Sequence, residues 1–239
     1  MKRTTPLQSL MAICLTLFLT NGCAAQGGSY FGQNQSTQKV STTVNPQDSV
    51  ANPALLDPTK ATEQAPENFK VKVETTKGDF VISVVREASP NGVDRFYNMV
   101  KIGYFSDIAI FRAVNGFMFQ FGIHGDPAIS NKWSEANIKD DPNIGVSNGP
   151  GTICFAKTGL PNSRSTQMFI NLGNNSFLDD QGFTPFGKVT EGLDVVGKIN
   201  TEYGENKGDV QGEFKQKGNP YILKKFPNID LIKSITIVE

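Results

Sequence analysis

The sequence predicts a mainly β chain whose antiparallel strands close into a barrel covered by helices. Three observations predict it. Strand-like runs are short and numerous, glycine-rich turns separate them, and only two stretches carry a helical repeat. Closure would remove the sheet edges, and the helices would plug the barrel ends.

Residues 69–75 alternate apolar and polar side chains, and residues 80–85 form a second such run. Thr76-Lys77-Gly78-Asp79 between them reads as a hairpin turn. Val93, Phe96, Tyr97 and Val100 recur at helical spacing, with Ser89-Pro90 as the start and Gly103 as the stop. Short strands follow at 108–114, 118–121, 152–156 and 168–171. Residues 191–199 read as the second helix and 231–238 as a closing strand. Residues 203–217 are rich in Gly, Glu and Lys and read as a long exposed loop. Residues 219–227 read as a C-terminal elaboration without an assigned role.

The 239 residues include 23 basic and 23 acidic side chains, so no cationic surface of the kind nucleic acid requires stands out. Of the three cysteines, Cys14 lies in an apolar leader and Cys23 at its end. Only Cys154 remains for the folded part, which leaves no internal disulfide. Cys154 sits in an apolar strand and reads as a small buried thiol. His124 is the only histidine and Asp126 its only close acid, too few for metal or triad chemistry. His124 therefore reads as a surface-loop residue. No metal and no cofactor is expected.

Residues 1–22 read as a signal peptide: Met1-Lys2-Arg3 is cationic, and 10–19 is apolar but short for a membrane span. Leu19-Thr20-Asn21-Gly22-Cys23 resembles a bacterial lipobox, which makes Cys23 the expected acylation site. Ala24 after it favours the outer membrane, so an extracytoplasmic, membrane-anchored chain is expected. Ordinary secretory cleavage near Ala24-Ala25-Gln26 is the alternative. Residues 23–66 are polar and aperiodic and read as a disordered tether, leaving 67–239 as the folded domain.

The most informative stretch is 111–120. Read as a strand, it puts Arg112, Val114, Gly116, Met118 and Gln120 on one face and Phe111, Ala113, Phe117 and Phe119 on the other. A bulge at Gly116 would bring Phe117 round to Arg112 and Gln120. A cation, an amide and an apolar wall together suit a peptide carbonyl beside an apolar ring. Taken singly, Arg112 would be a surface ion pair, and Phe117 or Phe169 would be core.

Phe111-Arg112 followed by Gly116-Phe117-Met118-Phe119-Gln120-Phe121-Gly122 resembles the cyclophilins, the peptidyl-prolyl isomerase family. Gly151-Thr152-Ile153-Cys154-Phe155-Ala156 running to Ser165-Thr166-Gln167-Met168-Phe169-Ile170 is similar to a second block of that family. Phe177-Leu178-Asp179 and residues 183–196 are similar to a third. The blocks stand in family order, and the likeness spans roughly 67–239. It implies an eight-stranded antiparallel barrel capped by two helices, and X-Pro isomerisation of proline-containing polypeptides by a monomer without a cofactor. It also implies roles. Arg112 is the catalytic cation and Gln120 orients it. Phe117, Met118, Phe169 and Leu178 seat the proline ring, and Gln167 lines the same groove. Ala156 and Lys157 are the backbone positions that pair with the bound peptide.

The chain departs from the family at four of these places. Phe111 replaces a His, Phe177 a frequent Trp, Phe183 a groove His and Lys157 an Asn. Phe177 and Phe183 stay in the substrate-binding set; Phe183 keeps a ring wall but loses a polar contact, and the loss of the Trp at Phe177 implies weak binding of cyclosporin-type ligands. These departures keep a second reading open: a proline-peptide-binding module or chaperone with little catalysis.

Overall fold

The computed structural model describes residues 51–204 and 209–238. The expected leader, Cys23 and most of the expected tether lie outside these residues. Along the chain run β1 (Asn68–Thr75), β2 (Gly78–Val85), α1 (Pro90–Lys101), β3 (Ile108–Ala109), β4 (Arg112–Val114), β5 (Met118–Phe121) and α2 (Pro127–Ser134). Then come β6 (Thr152–Phe155), β7 (Met168–Asn171), β8 (Pro185–Glu191), α3 (Leu193–Val196), α4 (Asp209–Lys225) and β9 (Leu231–Ile237).

Among the described residues nine strands make one antiparallel sheet, ordered β3-β9-β1-β2-β8-β6-β7-β5-β4. This corrects the expected closed, eight-stranded barrel. The sheet curls, but no ladder joins its two ends, β3 and β4. Those ends are neighbours in the chain, separated only by Ile110 and Phe111. One expected strand, 108–114, has become two. Ile110 N–H bonds Asp230 O at 2.9 Å on the β9 side, whereas Ala113 N–H turns to Gly204 O at 3.3 Å. The segment changes partner part-way along, which splits it.

The concave face carries the core, with Phe80, Phe96, Phe119, Phe121, Phe155 and Phe186 buried together. α1 packs there through Val93, Phe96 and Val100 of the predicted stripe and through Met99, which the repeat did not include, while Tyr97 of the stripe is only partly buried. Each such side chain contributes about 1.5–3 kcal/mol by leaving water. α1 has Pro90 in its first turn, and its first N–H groups are capped from a distant loop. Asp141 accepts from Asn91 N–H (3.0 Å) and Gly92 N–H (2.9 Å).

Three more expectations are corrected. Residues 51–66 fall inside the segment read as tether, but they pack on the domain. Two 3-10 turns, Pro53–Leu55 and Pro58–Lys60, bury Ala54, and Ala65 is buried further on. Their backbone is held by residues far along the chain. Asn98 exchanges two bonds with Glu63 (3.0 and 2.6 Å), Asp94 accepts from Ala65 N–H (2.9 Å), and Trp133 Nε1 donates to Leu55 O (2.9 Å). Composition cannot show partners of that kind.

The second expected helix shrinks to α3, because β8 continues to Glu191. In place of the expected exposed loop at 203–217, the described part from Asp209 onward is helical. α4 breaks at Gly218, which takes φ 65°, and resumes to Lys225. Phe214 and Ile222 of α4 bury themselves with Phe111, Ile123, Phe226 and Ile229 on the outer side of the sheet. Phe111 is apolar because α4 lies on it.

Candidate active site

β4 and β5 form a hairpin in which Arg112 pairs with Gln120 and Val114 with Met118. Gly116 makes the turn rather than a bulge: it takes φ 71°, and Phe117 N–H bonds Val114 O at 3.0 Å. The turn itself brings Phe117 beside Arg112. β7 lies alongside, with Phe169 opposite Gln120, and β6 follows, with Cys154 opposite Phe169. Pleating sends Ala113, Phe119, Ile170 and Ile153 into the core and leaves Met118, Gln120, Phe169 and Cys154 on the outer face.

That outer face floors a cleft of about 610 Å³. Ten of the eleven residues expected in the folded site line it: Arg112, Gln120, Phe117, Met118, Ala156, Lys157, Gln167, Phe169, Leu178 and Phe183. Phe177 does not. It is 57% exposed, and its ring stacks on Phe117 at 6.0 Å, so it backs the cleft instead of lining it.

The polar part is a chain of side chains. Arg112 Nη1 donates to Gln120 Oε1 (3.3 Å), and Gln120 Nε2 donates to Gln167 Oε1 (2.8 Å). The Arg112 guanidinium carbon lies 5.7 Å from the Phe117 ring centroid, within cation–π range. Gln120 is 7% exposed, so the two bonds fix its amide and, through it, one edge of the guanidinium. The apolar part is a recess made by Met118, Phe169 and Leu178, all buried, with Phe117 and Phe183 at its sides. Phe169 and Phe183 meet edge-on at 5.7 Å.

Ala156 N–H bonds Gln167 O at 2.8 Å, so this donor is already committed inside the protein. Strand-like pairing with a ligand would therefore use the Ala156 carbonyl and the backbone of Lys157. Lys157 Nζ lies 4.0 Å from Asp140.

Beneath the floor is an amide network that sequence reasoning missed. Asn175 Nδ2 donates to Phe117 O and to Asn171 Oδ1, both at 2.7 Å. Asn171 Nδ2 donates to Asn148 Oδ1 (3.1 Å), and Asn148 Nδ2 donates to Phe183 O (2.9 Å) and Asp179 Oδ1 (2.7 Å). The two rings flanking the recess are thus tied to each other through buried amides. The only signal was the recurrence of Asn at 148, 171, 174 and 175 near glycine turns, which also fits plain loop chemistry.

Cys154 Sγ donates to Asn148 Oδ1 at 3.0 Å; burial pushes this thiol well above its ordinary range, so it is a buried donor and no nucleophile. His124 is 8% exposed, which corrects its reading as a surface residue. Its Nδ1 accepts from Asp126 N–H at 2.9 Å, its ring meets Tyr104 edge-on, and burial lowers its pKa. Among the described residues no group of three or more His, Cys, Asp or Glu could hold a metal.

The family model for cyclophilin type peptidyl-prolyl cis-trans isomerases matches residues 70–223. Peptidyl-prolyl cis-trans isomerase B of Escherichia coli is 34% identical over 136 residues, covering 54% of this chain and 82% of the relative. A peptidyl-prolyl cis-trans isomerase of Acinetobacter baylyi is 33% identical over 136 residues, covering 55% of this chain and 72% of the relative. A crystal structure of a cyclophilin type isomerase from Cryptosporidium parvum superposes with a TM-score of 0.54 at 19% identity, covering 72% of this chain and 98% of that one, a likeness of fold. With its model matched over more than half of the sequence, the chain belongs to the cyclophilin-type peptidyl-prolyl cis-trans isomerase family.

Proposed function

We propose that this chain accelerates rotation about X-Pro bonds in extracytoplasmic proteins and so assists their folding. The observation that carries the reading is the Arg112–Gln120–Gln167 chain standing beside the recess of Met118, Phe169, Leu178, Phe117 and Phe183. The barrier to prolyl rotation is about 18–20 kcal/mol and comes from amide resonance. Lowering it needs no covalent step. The recess holds the pyrrolidine ring, and the Ala156–Lys157 segment holds the peptide backbone, so that the rest of the chain can twist. As conjugation breaks, electron density returns from the carbonyl oxygen to the nitrogen, whose lone pair becomes a hydrogen-bond acceptor. The Arg112 guanidinium meets that density with fixed donors. Gln120 and Gln167 hold the donor in place, so little reorganisation remains to be done in the transition state.

In this reading the polypeptide works as a monomer, tethered through acylated Cys23 to the periplasmic side of the outer membrane. Support for the anchor is the sequence alone, since Cys23 lies outside the described residues. Among those residues no helix is long and apolar enough to cross a membrane. Stable anchoring takes more than one acyl chain, and a lipoprotein cysteine carries such a set. Cells fed labelled palmitate are expected to label the wild-type chain and not Cys23→Ala; equal labelling rules out the anchor.

The catalytic reading is tested on the chain with its leader removed, in a protease-coupled assay on a proline tetrapeptide. The slow cis-to-trans phase is expected to quicken in proportion to enzyme concentration. Binding of the same peptide with no change in that phase would instead favour the binding-module reading, which the Phe111, Lys157 and Phe183 departures motivate.

A further inference from the structure

α4 belongs to none of the motifs that carry the family likeness, yet it builds one wall of the cleft. Val210 and Phe214 are four residues apart and turn toward the cluster around Phe111. Gln211 and Lys215 each follow one position later, so they share the next stripe of the helix, and both line the cleft.

The wall is anchored by packing and by hydrogen bonds. Phe214 is fully buried, with its ring 6.2 Å from Phe111 and 5.5 Å from Phe226. At the Gly218 break the chain presses on the loop before α2, where a Cβ would strike Gly125 O. Asn219 N–H donates to Gly125 O and Asn219 Nδ2 to Asp107 O, both at 2.9 Å.

Among the described residues lining the cleft are Arg112, Lys157 and Lys215, and no carboxylate. Asp140, 4.0 Å from Lys157 Nζ, is shared with Arg164 Nε at 3.4 Å. Glu213 of α4 is held elsewhere, accepting from Lys217 Nζ (2.9 Å), Lys225 Nζ (2.8 Å) and Tyr221 OH (2.5 Å). A peptide lying in the cleft therefore meets Arg112 and Lys157 as well as Lys215 of α4.

We propose that Lys215, with Gln211 beside it, is a specificity residue that makes the cleft prefer proline peptides bearing an acidic side chain next to the X-Pro unit. The inference rests on the isomerase reading and names its substrate class. Half-exposed charge pairs are weak singly, so the preference for Glu over Lys is about three- to tenfold at low salt.

The test compares kcat/KM for three peptides that differ only in carrying Glu, Gln or Lys beside the X-Pro unit. Exchange NMR, which needs no coupling protease, reads the rates. The wild-type Glu-to-Lys ratio is expected to be about three to ten at low ionic strength and to fall toward one in concentrated salt. Lys215→Arg keeps the ratio, and Lys215→Glu brings it to one or below. Using the ratio within each variant cancels any general loss of rate. A wild-type ratio of one, with the Gln peptide still accelerated, overturns the preference alone, as does a ratio unmoved in Lys215→Glu. Failure to accelerate all three peptides overturns the isomerase reading and this inference with it.

Discussion

Arg112→Ala is expected to lower kcat/KM for a proline peptide by about 30- to 900-fold, a loss of about 2–4 kcal/mol of transition-state stabilisation. The figure is that of removing one preorganised donor from a site where charge develops. The fold should survive the change, because Arg112 is half-buried on a strand at the end of the sheet. An unchanged Tm is therefore the control. Arg112→Lys keeps the charge but loses the planar fork that Gln120 grips at 3.3 Å, so its rate should fall between wild type and alanine. Peptide affinity should fall far less than the rate, since the apolar recess remains. A wild-type rate in Arg112→Ala would falsify the mechanism while leaving the family assignment untouched.

The largest effect on stability is expected at Asp141. This buried carboxylate accepts from Ser89 Oγ (2.6 Å), Asn91 Nδ2 (2.7 Å) and the first N–H groups of α1, and it pairs with Arg164 Nη2 at 2.9 Å. Arg164 in turn donates to Lys139 O and Ser89 Oγ and stands 5.8 Å over Phe155. Removing the carboxylate leaves the buried guanidinium with only Asp140, at 3.4 Å, as counter-charge and uncaps α1, and Asp141→Ala should cost about 3–5 kcal/mol. Urea denaturation at neutral pH measures it. Adding Arg164→Met should recover part of the loss, since the buried charge is then gone; a double variant no more stable than Asp141→Ala would count against the ion-pair account.

The same group sets an acid response. Burial pushes the Asp141 carboxyl up, but the bonds from Ser89, Gly92, Asn91 and Arg164 outweigh it and hold it below the ordinary 3.8. A carboxyl that binds its proton less readily folded than unfolded contributes its full stability above about pH 4 and loses it as pH falls through the folded value. Asp141→Ala should therefore show a shallower loss of stability below pH 4 than the wild type. Ser163 and Ser165 flank Arg164 and line the cleft, so this network also steadies the wall facing the peptide.

Much of the active face was legible because period-two alternation fixes which residues share a side. Arg112, Met118 and Gln120 fell together on that rule, whereas Phe169 was legible only through the family likeness, and the ladder sets it opposite Gln120. The core stripe of α1 was equally plain from its spacing. What escaped has physical reasons. α4 shows Val210 and Phe214 at helical spacing, but Gly212, Gly218 and Pro220 interrupt the repeat and make the segment read as loop. The 51–66 strap is held by Asn98, Asp94 and Trp133, partners that no local pattern reveals. Asp141 carries no local sequence signal, since only the fold brings α1 to it. Phe177 matched a family position, but the 3-10 turn it sits on leaves its ring outward against Phe117.

The missing ladder between β3 and β4 has a dynamic consequence. A cylinder stitched all round by backbone bonds opens only when the whole structure melts. Here the unstitched line is covered by α4 through the buried cluster and the Asn219 bonds to Gly125 and Asp107, and Phe111, in that cluster, is the immediate neighbour of Arg112. Partial detachment of α4 is therefore an excursion that can unsettle position 112 while the sheet stays intact, and amide exchange at 112–114 should track the loosening of this one helix ahead of global unfolding.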